Sequence, residues 1–383
     1  MNKKNMVIHL LTVPHKTRAL HLSMDYFIGK MRNHGKRLLA QAIVVLVSTF
    51  ALHTVALALP EVPEEEGWRG YAAFGFGYTE LESNTIVGNK FADFGQSSLG
   101  PNGVDQQPPS TDDTHLAIAG EVTLTLADRN QLFLGTSVED KVSLDGGVQL
   151  GWRKQADSGI YQLSLLASTF PREVWEDPYN DLTARQETDR KSNGARFQWD
   201  RILGSAFEVQ LSTRKIEIDT NTIGTDVSLG LSPQDIESLD RDGDEGKVTV
   251  AYRFRFGENR NHLLRPLIGA TSFDADGDAQ GFDATRFQLT YSYFSAKWIF
   301  VTNVSAGQGD YDNINPVYGI KQDWDSRVVD ASVFYRLPYD GGRWQVIGNV
   351  LWGEVDSDID FHDIETTKGA VLLQYRFGAL PQK

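Results

Sequence analysis

Residues Lys368–Phe377 read KGAVLLQYRF, and the rest of the chain is best read against them. Gly369, Val371, Leu373, Tyr375 and Phe377 alternate with Lys368, Ala370, Leu372, Gln374 and Arg376. A strict two-residue period describes a β-strand with two unlike faces. One face is apolar and ends in two aromatics; the other carries cations and an amide. A transmembrane barrel strand has this character: apolar toward lipid, polar toward a lumen, aromatic at the water boundary.

The same alternation recurs along the chain. Trp68, Ala72, Phe74, Phe76 and Tyr78 share one face of the first such segment. Leu116, Ile118, Val122, Leu124 and Leu126 oppose His115, Glu121, Thr123 and Thr125 in the second. Further segments begin near Leu132, Val148, Tyr161, Ala195, Phe207, Lys247, Leu263, Arg286, Trp298, Val329 and Trp344. Pro266 interrupts the Leu263 segment, and the one from Trp298 to Ala306 is ambiguous in phase. Most run to roughly 9–12 residues, the length a tilted membrane strand needs, where soluble strands average about five or six. Short turns follow the even-numbered segments and longer polar stretches the odd-numbered ones. The pattern predicts an all-β chain: a transmembrane antiparallel up-and-down β-barrel of about 14 strands, with 12 as the alternative. A large soluble sandwich or a lipocalin-like barrel is the competing fold, and strand length and turn asymmetry count against it.

Bulk properties agree. The chain has 383 residues, no cysteine, 35 glycines and a formal charge of −14. Eight of its 37 basic residues and one of its 51 acidic residues precede position 59, so without that segment the charge is about −21. Such a chain is a poor partner for nucleic acid. Lys36-Arg37, an apolar run from Leu38 to about Leu52, and Ala56-Leu57-Ala58 have the form of a secretory signal peptide over residues 1–58. Translation is expected to start at Met31 or Met24; an uncleaved anchor helix is the alternative. No later segment is long and apolar enough for a membrane helix, so any span is made by strands. The expected organisation is a short periplasmic segment at 59–67, a barrel over 68–377 and a tail at 378–383, with both termini periplasmic.

Two resemblances bear on this. The Lys368–Phe377 strand is similar to the C-terminal strand by which Gram-negative outer-membrane barrels are recognised, with Tyr375 and Phe377 in its aromatic positions; this implies the barrel assembly machinery as a partner. The stretch LPEVPEEEGWRGYAAFGFGYTELESNTIVGN from Leu59 resembles the start of a Gram-negative outer-membrane family catalogued as domain of unknown function 2860. The shared features are the Pro/Glu-rich opening, the glycine-rich aromatic first strand, and Ser83-Asn84 followed by Gly88-Asn89. The resemblance implies location and fold and carries no activity.

The polar faces hold Arg153, Arg196, Arg214, Arg253, Arg255, Arg286, Arg336, Arg376 and Lys247, with Glu121, Glu139, Asp200, Glu208 and Asp330. A ladder of cations in a water-filled pore would concentrate anionic solutes; the bland alternative is mutual neutralisation inside the barrel. Three loops are acidic, Asp240–Glu245, Asp274–Asp278 and Asp356–Asp360. Asp274, Asp276 and Asp278 have the spacing that opens a calcium loop, although Gly277 precedes the third ligand and Thr285 stands where a bidentate Glu belongs. The competing reading is solvated acid bridged to lipopolysaccharide phosphates by divalent ions. His362-Asp363 is the one acid–base candidate, and neighbours on a strand point to opposite faces, so no enzyme is expected. The first long loop, about Leu81 to Asp113, is expected either to enter the pore or to cover its outer mouth. The functional expectation is a porin-like channel for small polar or anionic solutes through an arginine-lined lumen. A non-conducting structural or surface-interaction barrel, working through acidic outer loops, is the alternative.

Overall fold

The computed structural model describes residues 59–136 and 146–378. The expected signal peptide, Glu139 and the tail beyond Gly378 lie outside the described residues. Fourteen antiparallel staves close on themselves: β1 (Gly67–Glu82), β4 (Ser110–Leu126), β5 (Asn130–Thr136), β6 (Gly146–Ala156), β7 (Gly159–Phe170), β9 (Glu187–Asp200), β10 (Phe207–Ile218), β11 with β12 (Gly243–Tyr252, Phe254–Phe256), β13 (His262–Ala275), β14 (Phe282–Phe294), β15 (Trp298–Tyr311), β16 (Trp324–Arg336), β17 (Trp344–Ser357) and β18 (Ile364–Gly378). Short strands β2 (Ile86–Asn89), β3 (Ala92–Asp93) and β8 (Arg172–Trp175) and one helix, α1 (Pro233–Ser238), belong to the loops. β1 pairs with β18 from Arg69↔Gly378 to Glu82↔Glu365, so no edge is left open. Closure is what lipid demands, since an unpaired backbone amide there costs several kcal/mol.

The period-two reading sets the register of both faces. Along β4 the exposed Leu116 and Leu126 fall in step with Ile118, Val122 and Leu124, while Ala117, Ala119 and Thr123 are buried. The segment of ambiguous phase resolves as β15, with Phe300 and Val304 exposed and Val301 and Asn303 buried. Pro266 does not break β13; it lies between the buried Arg265 and Leu267. β1 and β4 extend further than the alternation shows, leaving a first loop of residues 83–109.

The outer wall carries an aromatic girdle at the end where the turns are short. Its members are cross-strand pairs: Tyr161–Trp199 with centroids 5.4 Å apart, Phe207–Tyr252 at 4.7 Å, Trp298–Tyr335 at 4.3 Å and Trp344–Tyr375 at 4.8 Å. Such pairs add about 0.5–1.5 kcal/mol each beyond burial, and they mark a membrane–water boundary. At the opposite, loop end the inward side of β13–β16 carries a second row, Phe273, Phe282, Tyr311 and Trp324. Gly309 makes room for it, because a Cβ there would stand 2.4 Å from the Trp324 ring.

Candidate functional site

The interior is the site that the sequence singles out. In its turn-end half it is packed. Arg153 donates to Gln131 Oε1 at 2.7 Å and to Gln162 Oε1 at 2.8 and 3.0 Å, with its guanidinium 4.8 Å over the Phe133 ring. Glu121 lies on the neighbouring inward face of β4. Glu208 accepts from Arg265 Nη2 at 2.8 Å, from Arg265 Nε at 3.3 Å and from Gln198 at 3.0 Å. Arg253 is paired with the fully buried Asp200. Asn303 donates to Asp330 at 3.0 Å and accepts from Gln288. On the other side of the ring Ala73, Ala117, Ala119, Ile347, Ala370 and Leu372 form an apolar block, with Tyr71 and Phe334 against it. These polar groups have exchanged water for one another, as buried groups must.

The expected cation ladder therefore divides into three parts. Arg153, Arg196, Arg214 and Arg253 are enclosed; Arg214 donates to Ser192 Oγ at 2.9 Å. Lys247 and Arg286 are partly exposed on the inner wall nearer the loop end. Arg255, Arg336 and Arg376 sit at the turn-end rim: Arg255 is exposed and Arg336 donates to Ala296 O at 3.3 Å. The sequence reading missed Arg265, the most deeply buried arginine, because it precedes Pro266 in a segment with weak alternation.

The loop end holds what the sequence could not show. Four loops meet in one apolar cluster of Tyr179, Ile223, Leu239, Ala279, Ile359 and Phe361, and two more pack against it. Leu99, Val104, Val317 and Tyr318 pack against it. These loops leave the ring from β1, β7, β10, β13, β15 and β17, all around its circumference, so their shared core spans the mouth. The first loop thus covers the mouth: Asn84 donates to Phe361 O at 3.2 Å, and Tyr318 to Val104 O at 2.9 Å. Helix α1 is set by a capping box between Ser232 and Asp235 and delivers Leu239 into the cluster. Gly277 permits the close approach beside it, since a Cβ there would lie 2.3 Å from the Asp240 amide.

A polar chain runs through the cap. The Val317 amide donates to Asn315 Oδ1 at 3.0 Å, which leaves Asn315 Nδ2 to donate to the Tyr179 hydroxyl at 3.1 Å. That hydroxyl is hydrogen-bonded to His362 Nε2 at 2.9 Å. Burial, then the charge of Arg241, pushes its imidazole down to about 3, and burial pushes the Tyr179 hydroxyl up. Arg185 donates to Asn84 O at 2.8 Å and Pro178 O at 3.2 Å and lies 4.4 Å over Trp175. Arg241 reaches Glu176 O at 2.9 Å and Asn221 Oδ1 at 2.7 Å. Both arginines sew loops together.

The acidic loops have structural employment. Asp240 accepts from Asn221 at 2.7 Å, Asp242 from the Ile218 amide at 2.8 Å, and Asp360 from Gln107 at 3.2 Å. The structure does not bring Asp274, Asp276 and Asp278 together. All three side chains are exposed, and among the described residues no three acidic or imidazole groups converge as metal ligands do. Asp274 is held in the β13 ladder opposite Asp244, so strand geometry separates it from the turn that follows. His362 and Asp363 engage different partners, Tyr179 and the Ser357 amide at 2.8 Å.

A family model described as "Protein of unknown function (DUF2860)" matches residues 67–376, from the start of β1 almost to the end of β18. The chain belongs to that family. No curated protein matches this DUF2860 member. Among solved structures it is similar to OmpT, an outer membrane protein of Vibrio cholerae, at 11% identity over 80% of this chain and 98% of that one, with a TM-score of 0.38. A FadL homologue from Pseudomonas aeruginosa gives 8%, 81%, 90% and 0.41. The outer membrane channel DcaP of Acinetobacter baumannii gives 9%, 84%, 100% and 0.38. These likenesses carry no argument of their own; the closed sheet by itself makes this DUF2860 chain a 14-stranded antiparallel barrel.

Proposed function

We propose that this protein is a closed outer-membrane barrel, with its turns and both termini in the periplasm, that presents a rigid cap of outer loops rather than a standing pore. The observation that carries this is the single apolar core around Tyr179, which four loops share and two more pack against. The bonded interior below it agrees: Arg153, Arg265, Glu208 and Asp200 are spent on one another and on amides, so they are poor counter-charges for a passing solute. On this reading the acidic outer strand ends and loops face lipopolysaccharide, the assembly machinery inserts the barrel, and nucleic acid is no partner. A porin-like route for small anions is the second reading, favoured by the partly exposed Lys247 and Arg286 beneath the cap; it requires the cap to move. Conductance of refolded protein in planar bilayers tests the proposal. Folded protein that gives no stable open level, and gives one when residues 219–242 are shortened, supports it. A steady open level from the intact chain refutes it.

A further inference from the structure

At the turn-end rim a concavity of about 430 Å³ is lined by Arg201, Arg253, Arg255 and Arg260, together with Glu61 and Ser205. We propose that it is a binding pocket for a phosphoryl or similar tetrahedral oxyanion, independent of the cap. Four guanidiniums converge there in a chain whose net charge is −14. Only two carboxylates answer them. Glu61 accepts from Arg201 Nη1 at 2.8 Å. Asp200 pairs with Arg253 and lies 3.9 Å from Arg201 Nε. Two positive charges are left over, the complement of a dianion.

The arginines are also incompletely used. The Arg253 side chain is 8% exposed, yet its Nε is buried with no hydrogen-bond partner. Arg255 is exposed and, among the described residues, has no ion pair; it rests 5.6 Å over the Phe294 ring, which holds it at the rim. Arg260 is fixed in the β12–β13 turn with φ at 51° and is likewise unpaired among the described residues. Guanidinium groups offer planar paired donors that match tetrahedral oxyanions, which a set of lysines would not. The volume falls within the usual range for a small-ligand site.

Glu61 gives the inference its sharpest consequence. It belongs to the segment preceding β1, which crosses the turn end: the Val62 amide donates to Gln155 at 2.9 Å, and Glu64 pairs with Arg129. Its carboxylate occupies one donor of the pocket and so acts as a built-in competitor. A rim whose arginines merely face solvent would show no such competition.

The ligand chemistry has two sources at this depth, a phospholipid headgroup or a soluble phosphorylated compound. The test uses mature protein refolded in a maltoside detergent, its folding checked by heat-modifiable mobility. Inorganic phosphate and pyrophosphate are titrated calorimetrically; phosphatidylglycerol and phosphatidylcholine are compared by native mass spectrometry. The combined Arg255→Ala and Arg260→Ala variant should weaken binding by about tenfold or more, since each charged hydrogen bond carries about that factor. Glu61→Gln should tighten it, and Arg327→Ala at the far end of β16 should leave it unchanged. Binding of the inorganic probes with these signs supports the pocket and names a soluble ligand. Retention of phosphatidylglycerol alone, with the same signs, supports it and names a lipid. No binding of any probe by folded wild type, or binding indifferent to the arginine pair and to Glu61, overturns it.

Discussion

At the residue scale, the groups that matter most are those whose partners cannot be replaced by water. Tyr179 accepts from Asn315 and shares a hydrogen bond with His362. Tyr179→Phe keeps the ring and orphans both neighbours, so the cap should lose about 1–3 kcal/mol, read as faster hydrogen exchange in residues 176–186 and 358–363. The same chain makes the cap sensitive to acid. In the unfolded chain a histidine titrates near 6.5, and in the closed cap His362 is held to about 3. Between those values an opened cap binds the proton and the closed one does not. The closed form therefore keeps its full stability above pH 6.5 and loses about 1.4 kcal/mol for each unit below it. Loop protection factors, corrected for the intrinsic exchange rate at each pH, should fall from pH 7 to pH 4.5 in wild type and much less in His362→Asn; an equal fall in both would exclude His362 as the cause. In the interior, Arg265→Met leaves Glu208 as a buried carboxylate without its cation. Removing one partner of such a pair costs about 3–5 kcal/mol, to be seen as a lower urea midpoint for unfolding.

At the scale of elements, each stave is a two-faced ribbon, and the two faces answer to different solvents. Ile118→Arg on the outer face of β4, in mid-strand, should cost roughly 2–4 kcal/mol near the membrane midplane, whereas a polar exchange at Thr123, facing inward, should cost less. The β1–β18 seam has no room for a side chain at Gly75. A Cβ on Gly75 would stand 2.0 Å from Val371 O, so Gly75→Val should hinder closure and abolish heat-modifiable mobility. Period two explains why the staves were legible. Each strand must alternate to satisfy lipid and interior at once, and the alternation is written residue by residue in β4, β14 and β18. Arg265 escaped for a local reason: beside Pro266 its inward neighbours are Leu263 and Leu267, and the polar face of β13 does not look polar. Asp274, Asp276 and Asp278 stay apart for an equally local reason. Spacing along the chain implies a common focus only in a loop, and Asp274 is in a strand.

At the scale of the whole molecule, the arginine-rich face was visible in sequence and its meaning was not. Alternation reports which way a side chain points and says nothing about what stands opposite across the barrel. Gln131 and Gln162 flank Arg153 by hairpin register on the adjacent strands, whereas Glu208 reaches Arg265 past the intervening β11, a contact set by the curvature of the wall. The cap was illegible for a related reason. Its apolar members, Tyr179, Ile223, Leu239, Ala279, Ile359 and Phe361, come one or two at a time from four loops with no period of their own, and only closure of the ring brings them together. The resulting molecule has a packed turn-end interior, loops that share an apolar core at the other end, and a basic pocket at the rim where the chain enters β1. The most direct measurement of that arrangement is single-channel recording of the folded, intact protein in a planar bilayer at neutral pH. The account predicts a silent membrane, with conductance appearing once the loops that meet at Tyr179 are shortened. A stable open level from the unmodified chain would contradict it.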